Sequence, residues 1–188
     1  MKRKYRYVGW AVIAGATGFI FIVVFLHIVQ SNHDLMNQQM SELALGKYGF
    51  LMFFAFCSFA FSVFSVLIGL KQHKPPAIIK VFLAIAAVSL FGAGLFRLDN
   101  ATNLHITLVA ISFVLIVVVM CLLPRHVGAF KTSADKITSW SLATATAACV
   151  ALSQNLVPLG IGQRGAALFI LVWLVWIGIK FMKLKRTE

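Results

Sequence analysis

The sequence has 188 residues, of which 61% are hydrophobic and 12% are charged, with a formal net charge of +12. Soluble domains are typically about 45–50% apolar and about 25% charged, so this composition excludes an ordinary water-soluble fold. The basic residues lie almost entirely in short segments between apolar runs, which is the pattern of membrane loops and not of a surface that binds nucleic acid. We therefore expect no nucleic-acid partner.

Six apolar stretches are each long enough to cross about 30 Å of hydrocarbon as a helix. In chain order they cover residues 8–30, 48–70, 77–96, 104–123, 137–157 and 165–182. None of them alternates apolar with polar residues, as the strands of a membrane barrel do. The sequence predicts an all-α fold, in which residues 1–188 form one polytopic domain of six transmembrane helices.

Lysine and arginine are unevenly distributed between successive connections. Of the 17 basic residues, 14 lie at the two termini or beside the connections after the second and fourth stretches, and the others are Lys47, Arg97 and Arg164. Loops that remain in the cytoplasm carry such an excess of positive charge. We therefore predict that the N-terminus and the C-terminus are both cytoplasmic.

The second and fifth stretches differ from the others in composition. The second is rich in phenylalanine, whereas the fifth consists mainly of alanine, serine and threonine. Small residues let helices approach closely within lipid. We predict that the fifth stretch lies inside the bundle, and that the second faces lipid or fills wide gaps between helices.

Polar residues collect at the non-cytoplasmic ends of the stretches, at one predicted depth. The residues from which a site can be built there are His33, Ser41, Glu42, Arg97, Asp99, His105 and Arg164. No charged residue stands at the middle of a stretch, which disfavours an ion-driven transporter. We predict one contiguous site, closed from the first loop by Glu42 or His33. In the alternative, Arg97 and Asp99 form only a surface ion pair and His105 caps its own helix.

Two functions fit this site. In the first, a non-catalytic binding, sensing or assembly protein uses Arg97, Asp99, His105 and Arg164 to hold an anionic lipid headgroup or a loop of a membrane-protein partner. Guanidinium groups bind phosphate and carboxylate bidentately, which suits this role. We prefer it because the sequence contains no recognisable nucleophile motif.

In the second function, a membrane-embedded hydrolase acts on lipid at the outer leaflet. His105 and Asp99 are then general base and orienter, or metal ligands, and Ser41 or a bound water is the nucleophile. Asp99 and His105 are weak metal candidates because no motif of the HExxH kind accompanies them. We expect neither a metal nor another cofactor, and whether the protein is an enzyme stays open.

Three short motifs in this sequence resemble those of a prokaryotic integral membrane family catalogued as domain of unknown function 998. They are Met40-Ser41-Glu42-Leu43, then Leu95-Phe96-Arg97-Leu98-Asp99 with His105, and Gly162-Gln163-Arg164 with Trp173. The resemblance covers residues from about 8 to 182. It implies six or more helices in a prokaryotic plasma membrane and a polar site on the outer face, and it implies no particular reaction.

Overall fold

The computed structural model describes residues 2–153 and 156–184. Six α-helices follow one another: α1 Lys2–Val29, α2 Leu51–Leu70, α3 Ala77–Leu95, α4 Leu98–His126, α5 Ser133–Leu152 and α6 Leu159–Lys183. Three short 3-10 helices, Met40–Leu45, Lys71–His73 and Gly128–Phe130, lie in the connections. The described residues contain no strand, so the prediction of an all-α fold is confirmed.

Five of these helices, α1, α2, α3, α4 and α6, are long and apolar enough to cross a membrane. Helix α5, the predicted fifth span, is not among them in the described part of the chain, because serine, threonine and alanine dilute its apolar residues. Its 20 residues still measure about 30 Å. The predicted end of this span crosses residues 154 and 155, which lie outside the described residues, as do Lys185 and Arg186 of the basic C-terminus.

Each helix packs against the next along the chain, and α6 packs against α1, so the six helices form a closed ring. The contact between α1 and α6 is close at two glycines. A Cβ built on Gly9 would lie 2.5 Å from the carbonyl oxygen of Gly178. Between α1 and α2, the Ser62 hydroxyl donates a 2.7 Å hydrogen bond to the carbonyl of Val12. The contact between α4 and α5 is the loosest in the ring.

The predicted placement of the fifth helix inside the bundle is wrong, and of the two placements predicted for the second helix, facing lipid or filling gaps between helices, the structure contradicts only the first. Helix α2 is central, with contacts to α1, α3 and α6, whereas α5 buries only one stripe of residues, Asp135, Ser139, Ala143 and Thr146. Three phenylalanines of α2, Phe54, Phe61 and Phe64, do face outward, but Phe56 and Phe59 are buried. Small hydroxyl residues do not have to be inside a bundle, because a hydroxyl can bond within its own helix. The exposed Thr107 of α4 does so, by donating to the carbonyl of Asn103.

The helix ends form two chemically different regions. At one end, which we call the polar end, the connection 30–50 contacts Arg97 after α3 and Arg164 in α6. At the other, which we call the basic end, the Tyr5 ring lies 5.5 Å from the His73 ring. Connection 30–50 is the long connection of the bundle, and it positions the candidate site.

Candidate functional site

Connection 30–50 is fastened to both α1 and α6. The side-chain amide of Gln30 donates to the carbonyls of Leu43 at 2.9 Å and Lys47 at 2.8 Å. From α6, the Gln163 side-chain oxygen accepts a 2.6 Å hydrogen bond from the backbone N–H of Met40. The 3-10 helix Met40–Leu45 is thereby held across the polar end, between the groups at α1, α3 and α6.

Arg164 is the most heavily bonded side chain of the polar end. Its Nη1 donates to the carbonyls of Gln38 at 2.9 Å and Gly160 at 3.0 Å. Its Nη2 lies 3.1 Å from Nε2 of His27 and 2.9 Å from Nε2 of His33. Four of the five guanidinium hydrogens are therefore used, and the buried Nε–H has no partner in the described part of the chain.

Because arginine can only donate, both histidine Nε2 atoms must act as acceptors in this arrangement. The Nδ1 of His27 lies 2.7 Å from the carbonyl of Val23, so Nδ1 carries the proton and Nε2 has the free lone pair. Burial lowers the pKa of His33, and the charges of Arg164 and His27 lower it further, whereas Glu42 and Asp34 raise it. We call Arg164, His27 and His33 the histidine–arginine clamp.

The two carboxylates nearest the clamp are bonded elsewhere. Glu42 accepts from the backbone N–H of Gln39 at 2.7 Å. Asp34 accepts from the side chain of Asn37 and from two backbone N–H groups, and these bonds lower its pKa. Among the residues that the structure describes, no carboxylate lies within ion-pair distance of Arg164.

Arg97 and Asp99 form a separate group. They make a 3.3 Å ion pair in which each side chain is 42% exposed, and Arg97 also donates to the carbonyl of Ala44 at 2.9 Å. An exposed pair of this kind is worth only about 0–1 kcal/mol. Arg97 thus has an acidic partner, which distinguishes it from Arg164.

His105 is buried, with 3% of its surface exposed. Its Nδ1 lies 2.8 Å from the carbonyl of Ala93 and 2.9 Å from that of Phe96, so it caps the end of α3. Since both neighbours are acceptors, Nδ1 carries the proton, and none of the described residues bonds to the buried Nε2. The alternative drawn from the sequence is that His105 caps its own helix, α4. This is wrong, because His105 bonds to carbonyls at the end of α3.

The predicted site residues are only partly brought together. Arg164 bonds directly to His33, and Arg97 to Asp99, but no hydrogen bond in the described part of the chain joins these two groups. Asp99 does not contact His105 through a hydrogen bond, and the Ser41 hydroxyl is 3.4 Å from the Gln39 side-chain oxygen. The described residues contain no group of three or more His, Cys, Asp or Glu that can hold a metal ion.

Several cavities open near these groups: Arg97 and His105 line one of about 330 Å³, His33 and Glu42 line one of about 410 Å³, and two others are larger. A groove of about 500 Å³ runs between α1 and α6, with His27 and Arg164 at its polar end and apolar side chains elsewhere. A second cavity, of about 440 Å³, lies between α4, α5 and α6, and Ser41 and His105 both line it. Both volumes fall within the range of about 300–1,000 Å³ that is usual for small-molecule sites.

The sequence analysis missed the role of His27 and the backbone acceptors from Gln38 and Gly160. The sixth apolar stretch begins at residue 165 and leaves Arg164 in the loop before it, whereas α6 begins at Leu159 and carries Arg164 into its second turn. A guanidinium at that depth needs several acceptors other than water. The candidates with suitable side chains near the same end were the histidines at 27 and 33.

The family model described as a protein of unknown function, DUF998, matches residues 13–180. The chain belongs to the DUF998 family. The resemblance found in the sequence motifs is thus confirmed, and membership of DUF998 agrees with a multi-pass helical membrane protein. No curated protein and no solved structure matches the chain.

Proposed function

We propose that this DUF998 protein crosses a prokaryotic plasma membrane six times, with α5 as the fifth span and both termini in the cytoplasm. Support comes from the alternation of basic residues between the two ends. The length of α5 also fits, because about 30 Å is the thickness of the hydrocarbon layer. The polar end is then non-cytoplasmic.

This topology predicts the labelling of single cysteines in intact cells. In a background in which Cys57, Cys121 and Cys149 are replaced by alanine, a membrane-impermeant maleimide should modify Asn32→Cys and should not modify Lys131→Cys until the membrane is permeabilised. Labelling of Lys131→Cys but not of Asn32→Cys in intact cells would invert the orientation, and labelling at both positions would show that one of the three intervening helices, α2, α3 or α4, does not cross.

We further propose that the protein is a non-catalytic binding protein that holds an anionic lipid, with the headgroup at Arg164 and an acyl chain in the groove between α1 and α6. One observation carries this proposal: Arg164 is a half-buried cation without a carboxylate partner, at the head of an apolar groove. A charge withdrawn from water requires compensation. An anionic headgroup would supply it.

The shape of the groove agrees with a lipid chain. Its walls are apolar side chains of α1 and α6, and outward-facing members such as Val24 and Leu168 leave it open along its side. The bilayer can therefore deliver a ligand laterally. Basic pockets between transmembrane helices recognise anionic headgroups in this way.

The proposal predicts that lipid preference depends on Arg164 much more than on Arg97. In nanodiscs, the wild type should retain phosphatidylglycerol over phosphatidylcholine, as counted by native mass spectrometry. Arg164→Gln should reduce this preference about tenfold or more, because a hydrogen bond to a charged group is worth about 1.5–3 kcal/mol. Arg97→Gln is the matched control, since Asp99 already neutralises that arginine.

A second pair of variants leaves the clamp intact. Val24→Trp fills the groove, whereas Val88→Trp adds the same bulk at an exposed position of α3. Only the first should weaken phosphatidylglycerol binding. Equal losses in Arg164→Gln and Arg97→Gln, or in the two tryptophan variants, would refute the proposed site.

A lipid hydrolase that uses Ser41 and His105 has weaker support. The two residues line one cavity, but the position that a carboxylate would take beside His105 Nδ1 is occupied by the carbonyls of Ala93 and Phe96. Asp99 is paired with Arg97 instead.

A further inference from the structure

The cavity between α4, α5 and α6 has a polar end and an apolar body. Gln39, Ser41, His105 and Gln163 line its polar end. Beyond them the lining is almost wholly apolar and comes from Ile106, Val109, Phe113, Val114, Val117, Val118 and Val150, among others. The hydroxyls of Thr146 and Ser153, which also line the cavity, already donate to carbonyls of their own helix.

The chemistry of the polar end limits what can bind there. Among the described residues, no lysine, arginine, aspartate or glutamate lines the cavity, so none of them neutralises a charged headgroup. His105 donates from Nδ1 to the end of α3, and a neutral imidazole that donates from Nδ1 has an acceptor at Nε2. That buried acceptor has no partner among the residues that the structure describes. A complementary ligand therefore has an uncharged donor.

The dimensions of the cavity fit one hydrocarbon chain. From His105 to Val118 the lining follows α4 for 13 residues, which is about 20 Å at 1.5 Å per residue. Exposed lining residues, including Val114 and Val150, show that the cavity opens sideways between α4 and α5, where the ring is loosest. A chain that enters from the bilayer can lie along this length.

We propose that this cavity binds a single-chain amphiphile with an uncharged hydroxyl head, such as a long-chain alcohol, whose hydroxyl donates to Nε2 of His105. The site is distinct from the groove between α1 and α6, since Arg164 and His27 line the groove but not the cavity, and His105 lines the cavity but not the groove. The two sites select opposite headgroups, because one presents an unpaired cation and the other an unpaired neutral acceptor.

The test uses the full chain in phosphatidylcholine nanodiscs with hexadecan-1-ol as the probe, and radiolabelled probe is counted. The wild type should bind hexadecan-1-ol about tenfold more tightly than hexadecyl methyl ether, which has the same chain but no donor. Palmitate, which is charged at neutral pH, should bind comparably weakly. Equal binding of the ether refutes the role of the acceptor, and equal binding of palmitate refutes an uncharged headgroup site.

Cavity-filling variants test the location. Ala147→Phe adds bulk inside the cavity from α5, and Val88→Phe adds a ring at an outward-facing position of α3. Only Ala147→Phe should reduce hexadecan-1-ol binding, by about tenfold. If that variant does not fold, Val114→Phe fills the cavity from α4. Unchanged binding in a folded cavity-filling variant overturns the assignment. Val24→Trp should leave this binding intact, which separates this result from that for the anionic lipid.

Discussion

Replacement of Lys180 by methionine should destabilise the protein by about 3–5 kcal/mol, because it leaves a buried carboxylate without its partner. In the structure, Lys180 Nζ lies 2.6 Å from Oδ1 of Asp135, and Asp135 is only 3% exposed. The other carboxylate oxygen already has no hydrogen-bond partner in the described residues. The free energy of unfolding in mixed micelles, titrated with a denaturing detergent, measures the loss.

The matched control is Lys183→Met, which makes the same change at an exposed lysine one turn later in α6. It should cost much less, because surface charges are worth little. The double variant Lys180→Met with Asp135→Asn removes both charges and should recover most of the stability. If the stability losses of Lys180→Met and Asp135→Asn, measured separately, add up to the loss in the double variant, then the two charges are not coupled. The expected loss of about 3–5 kcal/mol for Lys180→Met is then wrong.

This pair shows how hydropathy misplaces polar residues at helix ends. The fifth apolar stretch begins at residue 137, which puts Asp135 in a basic loop, whereas α5 begins at Ser133 and carries Asp135 into its first turns. A hydropathy profile reports where apolar side chains begin, but a helix continues as long as its backbone hydrogen bonds do. The sequence therefore places Lys180, one of the basic residues near the C-terminus, but does not indicate that Asp135 is its partner.

The sequence predicts which residues lie near the candidate site, but it predicts only partly which of them contact one another. The alternation of charge and the six apolar runs place His33, Glu42, Arg97, Asp99 and Arg164 near helix ends, and the helices confirm this. Which arginine lacks a carboxylate depends on contacts between residues more than a hundred positions apart, such as Arg164 and His27. No periodicity within one helix encodes such a contact.

The last prediction concerns the histidine–arginine clamp, which should weaken below about pH 6.5, the ordinary pKa of histidine. Arg164 can bond to His27 and His33 only while each ring offers a lone pair, so protonation of either ring breaks a bond and sets two cations together. The groups that face His33 are Arg164 and His27, which oppose its protonation, and Glu42 and Asp34, which favour it. The net effect, with burial as the largest cause, is a pKa below the ordinary value.

The sign of the pH effect follows from proton linkage. Between the lowered pKa of folded His33 and about 6.5, the unfolded chain binds a proton that the folded chain does not. Stability is therefore complete above about pH 6.5 and falls as the pH falls, with a slope of at most about 1.4 kcal/mol per pH unit for this one proton. Connection 30–50 should open first, because the clamp fastens it to α6 through His33 and Gln38.

Hydrogen exchange of the amides from 38 to 43, corrected for the intrinsic effect of pH, measures this opening at neutral and at mildly acidic pH. His33→Gln provides the decisive comparison, since its side-chain oxygen accepts from Arg164 at every pH but cannot take up the proton. The amide exchange of this variant should depend much less on pH than that of the wild type.

The control, His126→Gln, changes an exposed histidine at the basic end and should leave the acid response intact. An undiminished acid response in His33→Gln would place the sensitive proton outside His33. A response lost equally in His126→Gln would assign it to the basic end and remove the clamp from the explanation.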